Sequence, residues 1–156
     1  QQGYDYLFSV DDDVVILNET ITELAKADKD IVAGVYRLKT DTPSAAVRLP
    51  EGSGPSWNEV LAKGLLTPAR YVSTGCMMIR RNVIEGMIEK YSELHYKRNV
   101  QGDRCWALYQ PFIHDEEYLS EDWAFCQRAL DAAFAVWVHG KLKCAHWGDK
   151  MWVFGE

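Results

Sequence analysis

The chain opens on a β-prone aromatic and aliphatic run, Tyr4-Asp5-Tyr6-Leu7-Phe8-Ser9-Val10, which stops at Asp11-Asp12-Asp13. That pattern predicts a short buried strand running into a charged loop. Asn18 is a good N-cap, and Ile21, Leu24 and Ala25 follow at helical spacing, so a helix is expected over about 19–27. Asp28-Lys29-Asp30 breaks it, and the apolar run Ile31-Val32-Ala33-Gly34-Val35-Tyr36 predicts a second strand. Strand, loop, helix and strand in this order are the signature of an α/β unit with parallel pairing.

Leu38 to Pro55 is rich in Thr, Pro, Ser and Gly and reads as a long loop, followed by a short helix from Trp57 to Leu65. Tyr71 to Ile79 predicts a third strand broken at Gly75. Asn82 and Glu85 have capping-box spacing ahead of Val83, Ile84, Met87, Ile88 and Tyr91, an amphipathic helix to about 94. Residues 95–119 lack periodicity and read as one long loop, of the length that is usually functional. Ser120 is expected to cap a helix over 121–133, with Glu121 and Asp122 in the first turn, where the dipole favours anions. Phe134 to Val138 and Leu142 to Ala145 predict two further strands. No repeat divides the chain, so residues 1–156 form one domain of α/β class.

Composition narrows the function. Seventeen Lys plus Arg against 23 Asp plus Glu give a net charge of −6. That argues against nucleic acid or an anionic membrane as partner, because phosphate affinity rests on clustered Lys and Arg. No apolar run approaches the roughly 20 residues of a membrane span. Gln1 to Gly3 has neither the basic start nor the apolar stretch of a signal peptide. Cys76, Cys105, Cys126 and Cys144 are 29, 21 and 18 positions apart, without the close pairs of a zinc site. Buried free thiols in a reducing, cytoplasmic compartment are expected.

Three groups could carry chemistry. Asp11 to Asp13 follow a strand, where α/β sheets place their binding crevices, and adjacent carboxylates repel unless a cation joins them. With 12 aspartates in 156 residues, an Asp-x-Asp is expected roughly once by chance, and Asp28-Lys29-Asp30 is a second match explained by a solvated turn. Glu121 and Asp122 either stabilise a helix start or present a general base to a cleft. His146, in Ala145-His146-Trp147-Gly148, is either a packed core imidazole or a cation ligand beside Asp13. An imidazole in that set leans toward Mn²⁺ over Mg²⁺.

Taken in order, Asp-x-Asp, Gly75-Cys-Met-Met-Ile-Arg-Arg81, Glu121-Asp-Trp-Ala-Phe-Cys126 and His146-x-Gly148 resemble the nucleotide-sugar-dependent glycosyltransferases of the GT-A fold. The inverting, family-2-like members are the nearest in pattern, and the resemblance covers about residues 4–150. It implies a partial GT-A three-layer sandwich with a mixed sheet. It further implies a nucleoside-diphosphate-sugar donor, a saccharide or other hydroxyl acceptor, and a Mn²⁺ or Mg²⁺ cofactor. In that pattern Asp11, Asp13 and His146 are the metal ligands, and Asp11 and Asp12 face the donor. Ser73, Thr74 and Gly75 line the sugar pocket. Asp122 is the catalytic base, with Glu121 beside it. Trp57, Trp106, Tyr109 and Tyr118 are candidate stacking surfaces for an acceptor, and Trp123 and Phe125 are placed to give Asp122 an apolar setting. Two alternatives remain: a non-catalytic binding module of the same fold, and an Asp-x-Asp phosphohydrolase. The latter class wants Thr or Ser where Val15 stands.

The family's domain begins with two further β-α units that hold the nucleoside, and this chain starts at the strand before Asp-x-Asp. It is therefore expected to be the carboxyl-terminal part of such a domain, with one edge of the 4–10 strand unpaired. An unpaired apolar edge invites association. The chain is accordingly expected either to pair that edge with another copy, as a homodimer, or to cover it with a rearranged segment, and titration with nucleoside diphosphates plus Mn²⁺ should give weak binding. A monomer by sedimentation with that edge bare, or micromolar nucleotide affinity, would contradict this expectation.

Overall fold

The computed structural model describes residues 3–41, 44–52, 54–98 and 102–154. In chain order the first half contains β1 (Tyr6–Val10), β2 (Val14–Val15), α1 (Thr20–Lys26), β3 (Ile31–Tyr36), β4 (Val47–Arg48), α2 (Trp57–Lys63), β5 (Leu66–Pro68) and β6 (Tyr71–Val72). The second half contains β7 (Cys76–Arg80), α3 (Arg81–Lys90), a 3₁₀ turn (Ser92–Leu94), β8 (His95–Lys97), β9 (Arg104–Trp106), β10 (Phe112–His114), β11 (Glu117–Leu119), α4 (Glu121–Asp131), β12 (Val136–Trp147) and β13 (Met151–Trp152). The main sheet runs β1-β7-β3-β12-β13, and β2 and β5 also pair with β12. It is mixed: β3 and β12 are parallel, whereas β7 is antiparallel to both β1 and β3.

Every residue of β3 is buried, because both faces of this strand are covered. Ile31, Ala33 and Val35 pack with Val60 of α2, Val83 and Met87 of α3, and Phe125 and Ala129 of α4. Val32 and Tyr36 pack on the opposite face with Leu24 of α1, Cys76 and Met78. Each large apolar side chain so buried contributes about 1.5–3 kcal/mol relative to exposure. A strand covered twice has no polar face, which is why Ile31 to Tyr36 reads as a continuous apolar run. Helices on both faces of the sheet make three layers.

Strand β12 is one long element where two short strands are expected, because a bulge joins them without ending the pairing. Val138 lies opposite Ala33 and Lys143 opposite Val35, so five steps along β12 answer two along β3. The surplus is odd, and an odd surplus inverts the facing of every later side chain. Val136 and Val138 accordingly join the core beneath α2, α3 and α4, while Leu142 and Cys144 join the core beneath α1.

Other departures from the sequence pattern have local causes. The run 4–10 is not buried: β1 pairs with β7 alone, at the end of the strand order, with Leu7 and Val10 about half exposed. β1 and β3 are not neighbours, because β7 inserts between them. Helix α1 has Glu19, not Asn18, at its N-cap, and α3 begins at Arg81, so Asn82 caps nothing. Ser120 holds the N-cap position of α4 without a side-chain bond, and the capping box is instead Ser56 with Glu59 on α2. The expected loop 95–119 contains two hairpins, β8 with β9 and β10 with β11. The second closes through Asp115 and Glu116, both at positive φ, the mirror-image turn that matches strand twist. Arg128 of α4 ties down the chain before it, donating to the Leu108 and Gln110 carbonyls at 2.9 and 2.7 Å.

Cys76, Cys105, Cys126 and Cys144 are all free thiols. Cys76 and Cys144 meet over Gly34, where an added Cβ would lie 2.9 Å from the Cys76 Sγ and 3.1 Å from the Leu142 carbonyl. The hydrogen bond with the neighbouring Cys144, and then burial, hold the Cys76 thiol far above its usual range. Gly34→Ala is therefore expected to destabilise by about 1–3 kcal/mol through overpacking. Gly34→Ala combined with Cys76→Ala should recover part of that loss, as measured by urea unfolding midpoints at constant m-value.

Candidate functional site

The carboxyl ends of β1 and β3, the bend at Gly75, the start of α4 and the end of β12 meet at one edge of the sheet. The chain leaving β1 is fastened at once, because the Asp11 N–H donates to the Gly75 carbonyl at 3.3 Å and the Val14 N–H to the Asp11 carbonyl at 3.1 Å. β2 then pairs with β12, Val14 opposite His146, and the Trp147 N–H donates to the Asp13 carbonyl at 2.7 Å. Those backbone bonds bring Asp13 Oδ2 to 3.4 Å from His146 Nε2.

The orientation of His146 is fixed on its other side. His146 Nδ1 lies 3.0 Å from the Arg37 carbonyl, and a carbonyl only accepts, so the Nδ1 carries the proton. The Tyr36 ring meets the imidazole edge-on with centroids 5.0 Å apart. In the neutral imidazole, Nε2 thus presents a lone pair toward a carboxylate oxygen. Two acceptors facing each other at this distance call for a positive charge between or beside them. Lys39 supplies one: its Nζ lies 2.6 Å from the same Asp13 Oδ2. The Lys39 hydrogen bond holds the Asp13 carboxyl below its ordinary range.

Asp122 is gripped from the segment that precedes Gly75. Ser73 Oγ donates to Asp122 Oδ2 at 2.7 Å and Thr74 Oγ1 to Oδ1 at 2.8 Å, so both carboxylate oxygens are oriented. Ser73 also hydrogen-bonds the Tyr36 hydroxyl. Burial lifts the Tyr36 phenol to about 12, helped by Asp11 and Asp122. Gly75 lets these groups close up: an added Cβ there would lie 2.5 Å from the Tyr36 hydroxyl oxygen and 2.8 Å from Asp11 Oδ2. The Asp11 carboxyl is raised above its ordinary range, first by partial desolvation and then by the charges of Asp122 and Asp13, against a smaller lowering by His146.

The structure thus brings Asp11, Asp13, Ser73, Thr74, Gly75, Asp122 and His146 to one place. Asp12 and Glu121 are exposed at its margin. Asp11 turns Oδ2 toward Gly75, and among the described residues no group of three His, Cys, Asp or Glu side chains is arranged to hold a metal. The pair Asp13 and His146 nevertheless fits a divalent ion. Its atoms are separated as two ligands of one ion are, and the nitrogen left unprotonated is the one that faces the carboxylate.

Most of the expected stacking aromatics are engaged elsewhere. Tyr109 stacks on Phe125 in the core at 4.4 Å, and Trp57 meets Phe154 edge-on at 6.4 Å. Trp106 packs against His95, and Trp123 stacks on Tyr71 at 5.1 Å with the Arg48 guanidinium 4.4 Å from its ring. Tyr118 alone of the four is exposed. Sequence reasoning missed Lys39, Tyr36 and the Arg37 carbonyl. The one available signal was that Tyr36 ends the buried strand with a hydroxyl.

The chain is an α/β protein of three layers built on a mixed sheet, with a carboxylate-rich site at one sheet edge. No family model and no curated protein matches it. Its fold is similar to the crystal structure of A197 from STIV, with a TM-score of 0.53 at 18% identity over 98% of this chain and 68% of that one.

Ionising Asp11 beside Asp12, Asp13 and Asp122 is costly in the folded state. A carboxyl raised on folding binds its proton more tightly when native, so stability falls as pH rises through its titration. Asp11→Asn should therefore raise the thermal midpoint at pH 7, with the gain fading below the ordinary carboxylate range. An equal or lower midpoint at pH 7 would remove the crowding interpretation.

Proposed function

We propose that this chain is a GT-A-fold glycosyltransferase module that moves a sugar from a nucleoside-diphosphate-sugar donor to an acceptor hydroxyl with inversion. The observation that carries the reading is the convergence, from three distant segments, of the Asp13 and His146 pair with the doubly held Asp122. Both lie at the strand ends where open α/β sheets bind ligands. Transfer breaks the bond between C1 and the diphosphate oxygen through an oxocarbenium-like state, and negative charge grows on the departing diphosphate. A Mn²⁺ or Mg²⁺ ion held by Asp13 and His146 would supply charge neutralisation as a Lewis acid.

The chain's own residues do the rest. Asp122 accepts the acceptor's hydroxyl proton while that oxygen attacks C1 from the face opposite the diphosphate. Ser73 and Thr74 hold the carboxylate in one orientation, so no reorganisation is needed during transfer. Gly75 lets Tyr36 and Asp11 close up against this bend. Asp11 and Asp12 face the donor side, and Glu121 borders the acceptor side. No helix among the described residues is long and apolar enough to cross a membrane, and four free thiols suit a reducing compartment such as the cytoplasm.

The test is hydrolysis or transfer of nucleoside-diphosphate sugars by the purified chain in Mn²⁺. Asp122→Asn should lower turnover by about 10²–10⁴-fold, the usual worth of a general base, while donor affinity stays within about twofold. Unchanged turnover would return Asp122 to a helix-stabilising role. Donor binding without any turnover in the parent chain would favour the non-catalytic module.

A further inference from the structure

We propose that Lys39 is a tethered cation that competes with a divalent ion for Asp13 and so sets how readily this site takes up metal. The inference rests on the reading of Asp13 and His146 as a cation site. Lys39 Nζ lies 2.6 Å from Asp13 Oδ2, the same oxygen that lies 3.4 Å from His146 Nε2. The ammonium thus holds the carboxylate oxygen that an ion bridging this pair would need. Two positive charges on one carboxylate oxygen repel, so one must withdraw before the other settles.

The surroundings favour the lysine's approach. Its stem runs over Gly148, where an added Cβ would lie 3.1 Å from Lys39 Cδ and 3.4 Å from Cε. The glycine that follows Trp147 therefore leaves the channel along which the side chain reaches Asp13. Lys39 itself is exposed and sits just beyond β3, so it can swing into solvent without disturbing a core. A tethered group has a high effective concentration at its partner, yet an exposed ion pair is weak enough to be displaced. Together these describe a cation that yields to metal rather than one that blocks it permanently. Once displaced, the ammonium stays within reach of any anionic group bound at the site.

The experiment is a Mn²⁺ titration of the 156-residue chain followed by electron paramagnetic resonance of the free ion, with no donor and no turnover. Lys39→Met should tighten Mn²⁺ binding by about two- to fivefold, the range expected for releasing an exposed ion pair. Asp13→Asn should weaken binding in both the parent and the Lys39→Met background. Unchanged or weaker affinity in Lys39→Met, with the Asp13 dependence retained, would overturn the competitor role and leave the cation site standing. Binding that ignores Asp13, or that is absent from both chains, would overturn the competitor role and the cation site together.

Discussion

The direction in which His146 faces depends on the odd surplus of residues in the bulge of β12. Before the bulge, even-numbered residues of this strand face the α2, α3 and α4 layer. After it they face the α1 layer, where Tyr36 and the chain leaving β1 are found. Had the strand run on in regular register, His146 would have pointed to the face opposite Asp13. The parity of one irregularity therefore decides whether the imidazole meets a carboxylate or a hydrophobic core. Bulges recur beside functional sites because they re-aim side chains without ending a sheet. Gly140 lies within this one, against the Val60 backbone of α2, so the bulge also sets how closely that helix docks.

Much of the architecture was legible in residue pattern, because burial on both faces imposes an apolar run such as Ile31 to Tyr36 and amphipathic helices advertise their period. The parity change was not legible. Residues 136–147 alternate evenly, and alternation says which residues share a face without saying that the face itself changes. The hairpin at Asp115-Glu116 was hidden for a different reason: its turn uses two acidic residues at positive φ where Asn-Gly would have been readable. The caps expected at Asn18 and Asn82 are not the observed ones, since the N-cap positions of α1 and α3 are held by Glu19 and Arg80 without side-chain bonds. Of the site, the acidic residues and His146 stood out by type and by their order along the chain. Lys39 did not, since a lysine in a polar loop is the commonest surface feature there is.

The site holds several carboxylates whose mutual repulsion the fold must offset. Lys39 serves Asp13, and two hydroxyls serve Asp122, while Asp11 is left with an unfavourable balance. The unevenness is informative. A structure that merely tolerated acidic residues at a strand exit would let them spread into solvent. Here backbone bonds to Gly75 and Trp147 hold Asp11 and Asp13 in place despite the cost.

The contact between Tyr36, Ser73 and Asp122 also has a polarity. Ser73 carries one hydroxyl proton and gives it to Asp122, so Tyr36 must donate to Ser73 in turn. With the phenol raised to about 12, Tyr36 keeps its proton throughout the neutral range, and the row of hydroxyls points one way while Asp122 is charged. A proton arriving on Asp122 Oδ2 removes the reason for that ordering and lets the two rotors reverse. The ionisation state of a residue at the start of α4 is thus registered as the orientation of a hydroxyl at the end of β3.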